Sequence, residues 1–340
     1  MISYNKYIMQ NKFLIELQEI AKLLKNNWAS IESPGLWQGK MEIVIFFFQY
    51  AQYTGEKQYE DYAIEIIESV QSGFNRNSPI DYENGLAGIG VCVEYLLQNG
   101  FLEVDSDWIF VDIDNFINDD IIMQKHEKKD LCGLGKYLLL RLNNSISVIN
   151  ELRWLINYER LIHIIDIFEN ETTSHPNELP EVLSFLCNVY YLNICNLKIE
   201  RCLDKVLKDF SINDSQKEHI PAWTLALLRL KLTGYQMKES VDKAIDLALQ
   251  VIETVELLQE NREINRLLWL LQCKRLISQN GLSMSLSSRI DDLVNGIYNK
   301  IDITVFLENN ELSLSDCAVA GLVIMTILEQ SDGTWMDLLM

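Results

Sequence analysis

The sequence predicts an all-α fold, an α/α toroid of about seven helical hairpins with an inner and an outer ring of helices. Three observations carry that expectation. Apolar residues recur at helical spacing along nearly the whole chain, as in Leu14, Leu17, Ile20, Ala21 and Leu24, or Leu225, Leu228 and Leu232, while β-branched alternation is scarce. Glycine-bearing segments repeat about every 45 residues, each leading into a strongly apolar helix and then a more polar one. The 340 residues contain only 5 prolines and 15 glycines, with no stretch of linker composition. A closed ring of hairpins lets residues 1–340 form one domain, where a single core of that size would split.

The elements follow in order. Residues 12–26 read as a displaced helix, the outer partner of the last inner one. The first repeat is Gln38-Gly39-Lys40-Met41-Glu42-Ile43, followed by the acidic outer helix 57–71. The second is Asn84-Gly85-Leu86-Ala87-Gly88-Ile89-Gly90 and the third Leu131-Cys132-Gly133-Leu134-Gly135. Four more inner helices are expected at similar spacing over 180–192, 221–232, 264–276 and 316–328, without the glycines. A helix apolar on most faces must be buried, and an amphipathic partner can cover it, which assigns the two rings. Glycines at the inner starts permit tight turns and close backbone approach. No strand signal precedes Gly85, so a dinucleotide-binding loop is not expected.

Composition narrows the function. Hydrophobic residues make up 48% and charged residues 23% of the chain, enough apolar material for a substantial core. The balance of 29 basic against 49 acidic residues gives a net charge of −20, which repels nucleic acid and anionic membranes and leaves a cationic peptide as the compatible charged partner. Residues 1–24 contain no apolar run of secretory length. The longest apolar stretch, residues 43–48, is far short of the ~20 residues that cross a bilayer, so neither a signal peptide nor a membrane helix is expected. Seven cysteines without a C-x-x-C pair suit a reducing compartment, and a cytoplasmic location is expected.

The segment Asp81-Tyr82-Glu83-Asn84-Gly85-Leu86-Ala87-Gly88-Ile89-Gly90 resembles the inner-helix motif of the lanthionine synthetase C-like family, and Gly35-Leu36-Trp37-Gln38-Gly39-Lys40-Met41 resembles its first copy. Gly133-Leu134-Gly135 supports the likeness; beyond about residue 142 only spacing extends it. The resemblance implies an α/α toroid with a zinc ion at the end of its central cavity. It also implies an enzyme that adds cysteine thiols across dehydrated Ser or Thr residues of a ribosomal peptide. That chemistry needs a metal to stabilise the thiolate and a nearby acid to protonate the resulting enolate.

Family enzymes draw the zinc ligands from a Cys at one inner-helix start and a Cys-His pair, followed by Gly, at the next. The present sequence departs from that pattern. With Gly321 matched to Gly88, Asp316-Cys317 stands where Cys-His belongs, and Ala318 replaces the glycine. The preceding copy reads Asn261-Arg262-Glu263-Ile264-Asn265 where the other Cys is expected, and Cys273, further along that helix, reads as a buried small hydrophobe. His219-Ile220-Pro221-Ala222-Trp223 aligns with the family's His-Gly-x-Ala-Gly, which makes His219 the candidate catalytic acid or base.

Asp316 and Cys317 are thus candidate metal ligands. Asp81 and Glu83, immediately before an inner helix, are candidate contacts for a basic or amide-rich peptide. Cys187, Cys195 and Cys202 read as core, and the pairs Asp119-Asp120 and Asp291-Asp292 as residues of solvated loops or helix N-termini.

The expected function is that of a catalytically weakened or inactive family member that binds a peptide, or an enzyme modifying one, with no cofactor. The alternative is an active thiol-addition cyclase with a zinc site rebuilt from Asp316, Cys317 and His219. A third reading is a carbohydrate-active toroid, with Asp81, Glu83 and Asp316 as carboxylates and Trp37 and Trp223 stacking on sugars.

Overall fold

Apolar residues at helical spacing produce helices throughout: in the computed structural model every α or 3-10 segment is helical and no strand occurs among the described residues. The structure describes residues 2–73, 78–103, 106–123, 127–144, 151–170, 178–208, 220–235, 241–243, 245–246, 249–250, 260–280, 284–298, 312–328, 331 and 333–338. The α-helices are α1 (Ile2–Asn27), α2 (Lys40–Thr54), α3 (Gln58–Ser72), α4 (Leu86–Gln98), α5 (Ser106–Met123), α6 (Lys128–Asn144) and α7 (Glu151–Asn170). They continue with α8 (Leu179–Tyr191), α9 (Asn196–Lys208), α10 (Ile220–Thr233), α11 (Glu260–Gln279), α12 (Met284–Tyr298) and α13 (Leu314–Ile327). Two short 3-10 turns lie at Trp28–Ser30 and Thr334–Asp337.

Local chemistry explains the boundaries. Gly39 and Gly85 are extended N-caps of α2 and α4, and Gly55 closes α2 in the left-handed conformation at φ 72°, its N–H donating to the Ala51 carbonyl. Pro180 sits in the first turn of α8, where its missing N–H costs nothing. Glu60 and Asp61 place negative charge in the first turn of α3, where the helix dipole favours it. At α13 a reciprocal capping box forms: Ser313 Oγ accepts from the Asp316 N–H at 3.1 Å, and the Ser313 N–H donates to Asp316 Oδ2 at 3.2 Å.

The chain groups into two compact units. The first comprises residues 1–110, 259–268 and 298–340. Here α2 and α4 are buried on every face over residues 41–51 and 86–96, whereas α3 buries only the stripe Ala63, Ile66 and Val70. The hairpin α2–α3 is therefore an apolar helix covered by an amphipathic one, and α4 packs beside α2. Helix α13, from the far end of the sequence, packs against both α1 and α2, with Gly321 lying on the Phe46 ring and near Ile20. The pairing of the N-terminal helix with the last inner helix is the one expected, although α1 is longer than residues 12–26. Aromatic contacts tie the hairpin: Phe47 stacks on Tyr59, Tyr50 meets Tyr59 edge-on, and Lys25 of α1 lies 4.9 Å over the Tyr62 ring.

The second unit comprises residues 111–258 and 269–297. In it α8 packs against α6 and α10, and the hairpins α6–α7 and α8–α9 bring the outer helices α7 and α9 together. Helix α7 shows the amphipathic spacing directly, burying Asn157, Leu161, Ile164, Ile165 and Phe168. Ion pairs bridge the outer helices, Lys198 with Asp166 and Arg201 with Glu169. Gly135 rests on the Phe185 ring, letting α6 approach α8 closely.

One polar network is buried in this unit. Asp114 of α5 accepts from Tyr137 Oη at 2.6 Å and from Arg141 Nη2 at 3.2 Å, both on α6, and Arg153 Nε of α7 lies 3.7 Å away. Next to it Asn118 Nδ2 donates to Asn157 Oδ1 at 2.9 Å, and Arg160 Nε donates to the Asn118 carbonyl at 3.1 Å. Removing the acid would leave a buried guanidinium and a buried hydroxyl without their acceptor. Asp114→Ala is expected to lower stability by about 3–5 kcal/mol, read as a fall in the urea midpoint.

Candidate functional site

The site is built on three helix starts in the first unit, those of α2, α4 and α13. The loops entering α2 and α4 nest backbone against backbone. The Trp37 N–H donates to the Glu83 carbonyl at 2.9 Å, and Ser33 Oγ donates to Asn84 Oδ1 at 2.9 Å. A methyl group on Gly88 would collide with the Tyr82 carbonyl oxygen and the Leu36 side chain, and one on Gly35 with the backbone of Glu83 and Asn84. Glycine is needed at both because backbone, which cannot swing aside, occupies the space. Tyr82 then ties the loop to the C-terminal segment, its hydroxyl donating to the Leu338 carbonyl at 2.5 Å.

This arrangement defines Asp81 and Glu83. Asp81 Oδ1 accepts the Asn84 N–H at 2.7 Å, an Asx turn that leads the chain into α4. Glu83 contributes its main-chain carbonyl to the nest, and its side chain is half-buried. Both residues therefore shape the loop that holds the two helix starts together.

At the start of α13, Asp316 is half-buried and its Oδ2 also accepts from Ser313 Oγ at 2.6 Å, so capping engages this carboxylate. Cys317, the next residue, is buried; burial, with the Asp316 carboxylate adding to it, pushes its thiol up to about 12. The two candidate ligands are thus adjacent, but among the described residues no three His, Cys, Asp or Glu side chains converge as a metal-binding group. These residues do not by themselves make a zinc site: a tetrahedral ion needs more ligands, and a neutral buried thiol is the wrong protonation state.

The third start carries a group that the motif comparison does not single out. Glu42, in the first turn of α2, is 1% exposed, and its Oε2 has no hydrogen-bond partner. Burial holds its carboxyl group well above the ordinary range; the Asp316 carboxylate adds to this, while a hydrogen bond from the Gln38 backbone opposes it. Gln38 is itself left-handed at φ 54°, an uncommon conformation for a residue with a side chain. From α4, the Cys92 thiol reaches the Met41 carbonyl at 3.9 Å, and its ionisation is suppressed first by burial and then by Glu42. The signal in the sequence was one acid at the head of the apolar run from Met41 to Phe48.

Other candidates fall elsewhere. His219 lies outside the described residues, and Trp223 is buried in α10. Cys273 is fully buried in α11, its thiol pushed up to about 12 by burial, as a small hydrophobe would sit. Cys187 and Cys202 are core, but Cys195 is not: it occupies the α8–α9 turn, half-buried, at φ 52°. Asp119, Asp291 and Asp292 lie within α5 and α12, not in loops or at N-termini, because the helices run on past them; Asp291 pairs with Lys274 at 2.8 Å.

The nested loops predict opposite signs for two glycine substitutions. Gly88→Ala is expected to cost about 1–3 kcal/mol by overpacking against backbone. Gly296→Ala, in α12 with open space around it, is expected to add up to about 1 kcal/mol through helix propensity. Chemical denaturation of the two variants beside the parent measures both.

No protein-family model matches this chain, and no curated protein matches it.

Proposed function

We propose that the protein is a degenerate lanthionine synthetase C-like α/α toroid that binds a peptide, or an enzyme acting on one, and has lost thiol-addition chemistry. The nesting of the starts of α2 and α4 carries this reading, because the residues that meet there, Gly35, Trp37, Glu83, Asn84 and Gly88, are those of the resembling motif. The order of packing supports a ring of hairpins: apolar helices neighbour apolar helices, as α13 with α2, α2 with α4, and α6 with α8 and then α10, while amphipathic helices cover them.

Binding without catalysis is favoured by the chemistry at the helix starts. Thiol addition requires a stabilised thiolate, whereas Cys317 is buried and neutral, and Asp316 is committed to capping. A net charge of −20 favours a cationic peptide or a basic surface on a modifying enzyme as the partner. Seven free thiols suit the reducing environment of the cytoplasm.

Elemental analysis of protein purified without chelator tests the reading. Substoichiometric zinc, unchanged by Cys317→Ala, is expected, together with no thiol consumption from a dehydrated, cysteine-containing peptide. One tightly bound zinc per chain that is lost in Cys317→Ala would overturn it in favour of an active cyclase with a rebuilt site.

A further inference from the structure

Among the described residues of the first unit, Glu42 is the acid placed worst for a charged group. It is buried among Met41, Ile43, Val44 and Ile45 on a helix with no solvent-facing side over residues 41–51, and Oε2 finds no donor. An ionised carboxylate in such a place needs donors or a cation. The elements packed on α2 supply neither. Helix α13 faces Glu42 with Asp316, a second acid, next to the neutral thiol of Cys317, and α4 brings the neutral thiol of Cys92. On α1 the buried acid is Glu16, which is paired with Lys12 at 3.6 Å, and Lys25 lies over Tyr62. On α3, Tyr59 and Tyr62 pack further along α2, on Phe47. Lys40, two residues before Glu42, donates to Ser69 Oγ at 3.2 Å and lies 5.6 Å from the centre of the Trp28 ring.

We propose that Glu42 is a proton-controlled latch: the junction of α2, α4 and α13 closes around its neutral carboxyl group, and ionisation of that group loosens the junction. The inference stands apart from the toroid reading, since it needs only the burial of Glu42 and the acid beside it. The direction of the pH effect follows from linkage. An acid that holds its proton more tightly folded than unfolded lends stability that is full below its unfolded range, near 4.5, and is lost as pH rises through the folded one. The latch is therefore closed in acid and strained toward alkaline pH.

Infrared difference spectroscopy of the parent protein against Glu42→Gln reads the latch directly. At neutral pH the parent is expected to show the carbonyl band of a protonated carboxyl group, and the Gln variant, which keeps the shape without the charge, is expected to lack it. Urea unfolding of the same pair from about pH 5 to about pH 8 gives the linkage: the parent's unfolding constant is expected to rise relative to the variant's by up to about tenfold per pH unit. The absence of the band in the parent, or parallel unfolding profiles across that range, would overturn the proposal. The infrared measurement needs no folded variant to be decisive, because a band that titrates away in the parent supports the latch and a carboxylate spectrum at neutral pH defeats it.

Discussion

Everything in the first unit depends on bringing helices that are apolar on every side close enough to bury one another. Helix α2 has no face to offer water over residues 41–51, and α4 has none over 86–96, so neither is tolerable without neighbours around it. The closeness is set at their starts, where backbone meets backbone through Gly35 and Gly88 and no side chain intervenes. The hydrogen bonds from Trp37 to Glu83 and from Ser33 to Asn84 then hold the register. The acidic helix α3 and the aromatic residues Phe47, Tyr50, Tyr59 and Tyr62 cover what remains.

The same constraint determines the chemistry available there. A junction closed by backbone contact excludes water, and every ionisable group trapped in it is driven toward its neutral form. Cys92, Cys317 and Glu42 all shift in that direction, with burial as the first cause in each case. Asp316 escapes because it is half-buried and its cap supplies donors from Ser313. A site of this kind suits recognition and proton-linked packing better than a thiolate nucleophile, which needs nearby positive charge.

The second unit answers a related demand differently. It buries Asp114, but surrounds it with Tyr137, Arg141 and Arg153, so that the charge is matched by donors from two helices. The two buried acids contrast in kind: Asp114 is satisfied and locks α5 to its neighbours, whereas Glu42 is unsatisfied at Oε2 and remains sensitive to its proton.

What the sequence determined by itself is local and periodic. Helical apolar spacing located the elements, so that the expected inner helices at 180–192, 221–232 and 316–328 correspond closely to α8, α10 and α13. The repeat also carried the pairing of the N-terminal helix with the last inner one, because spacing along a chain of hairpins implies who neighbours whom. Tertiary structure decided what each functional side chain is doing. Asp81 reads as a peptide contact by position, yet its carboxylate is turned back onto Asn84; Asp316 reads as a ligand, yet it caps its own helix. Cys195 shares helical spacing with two core cysteines, yet a left-handed turn takes it out of the core. The significance of Glu42 was invisible in the run from Met41 to Phe48, because the cost of a carboxyl group depends on which residues from distant parts of the chain surround it. Those residues, Cys92 and Asp316, are brought to it only when the helix starts close.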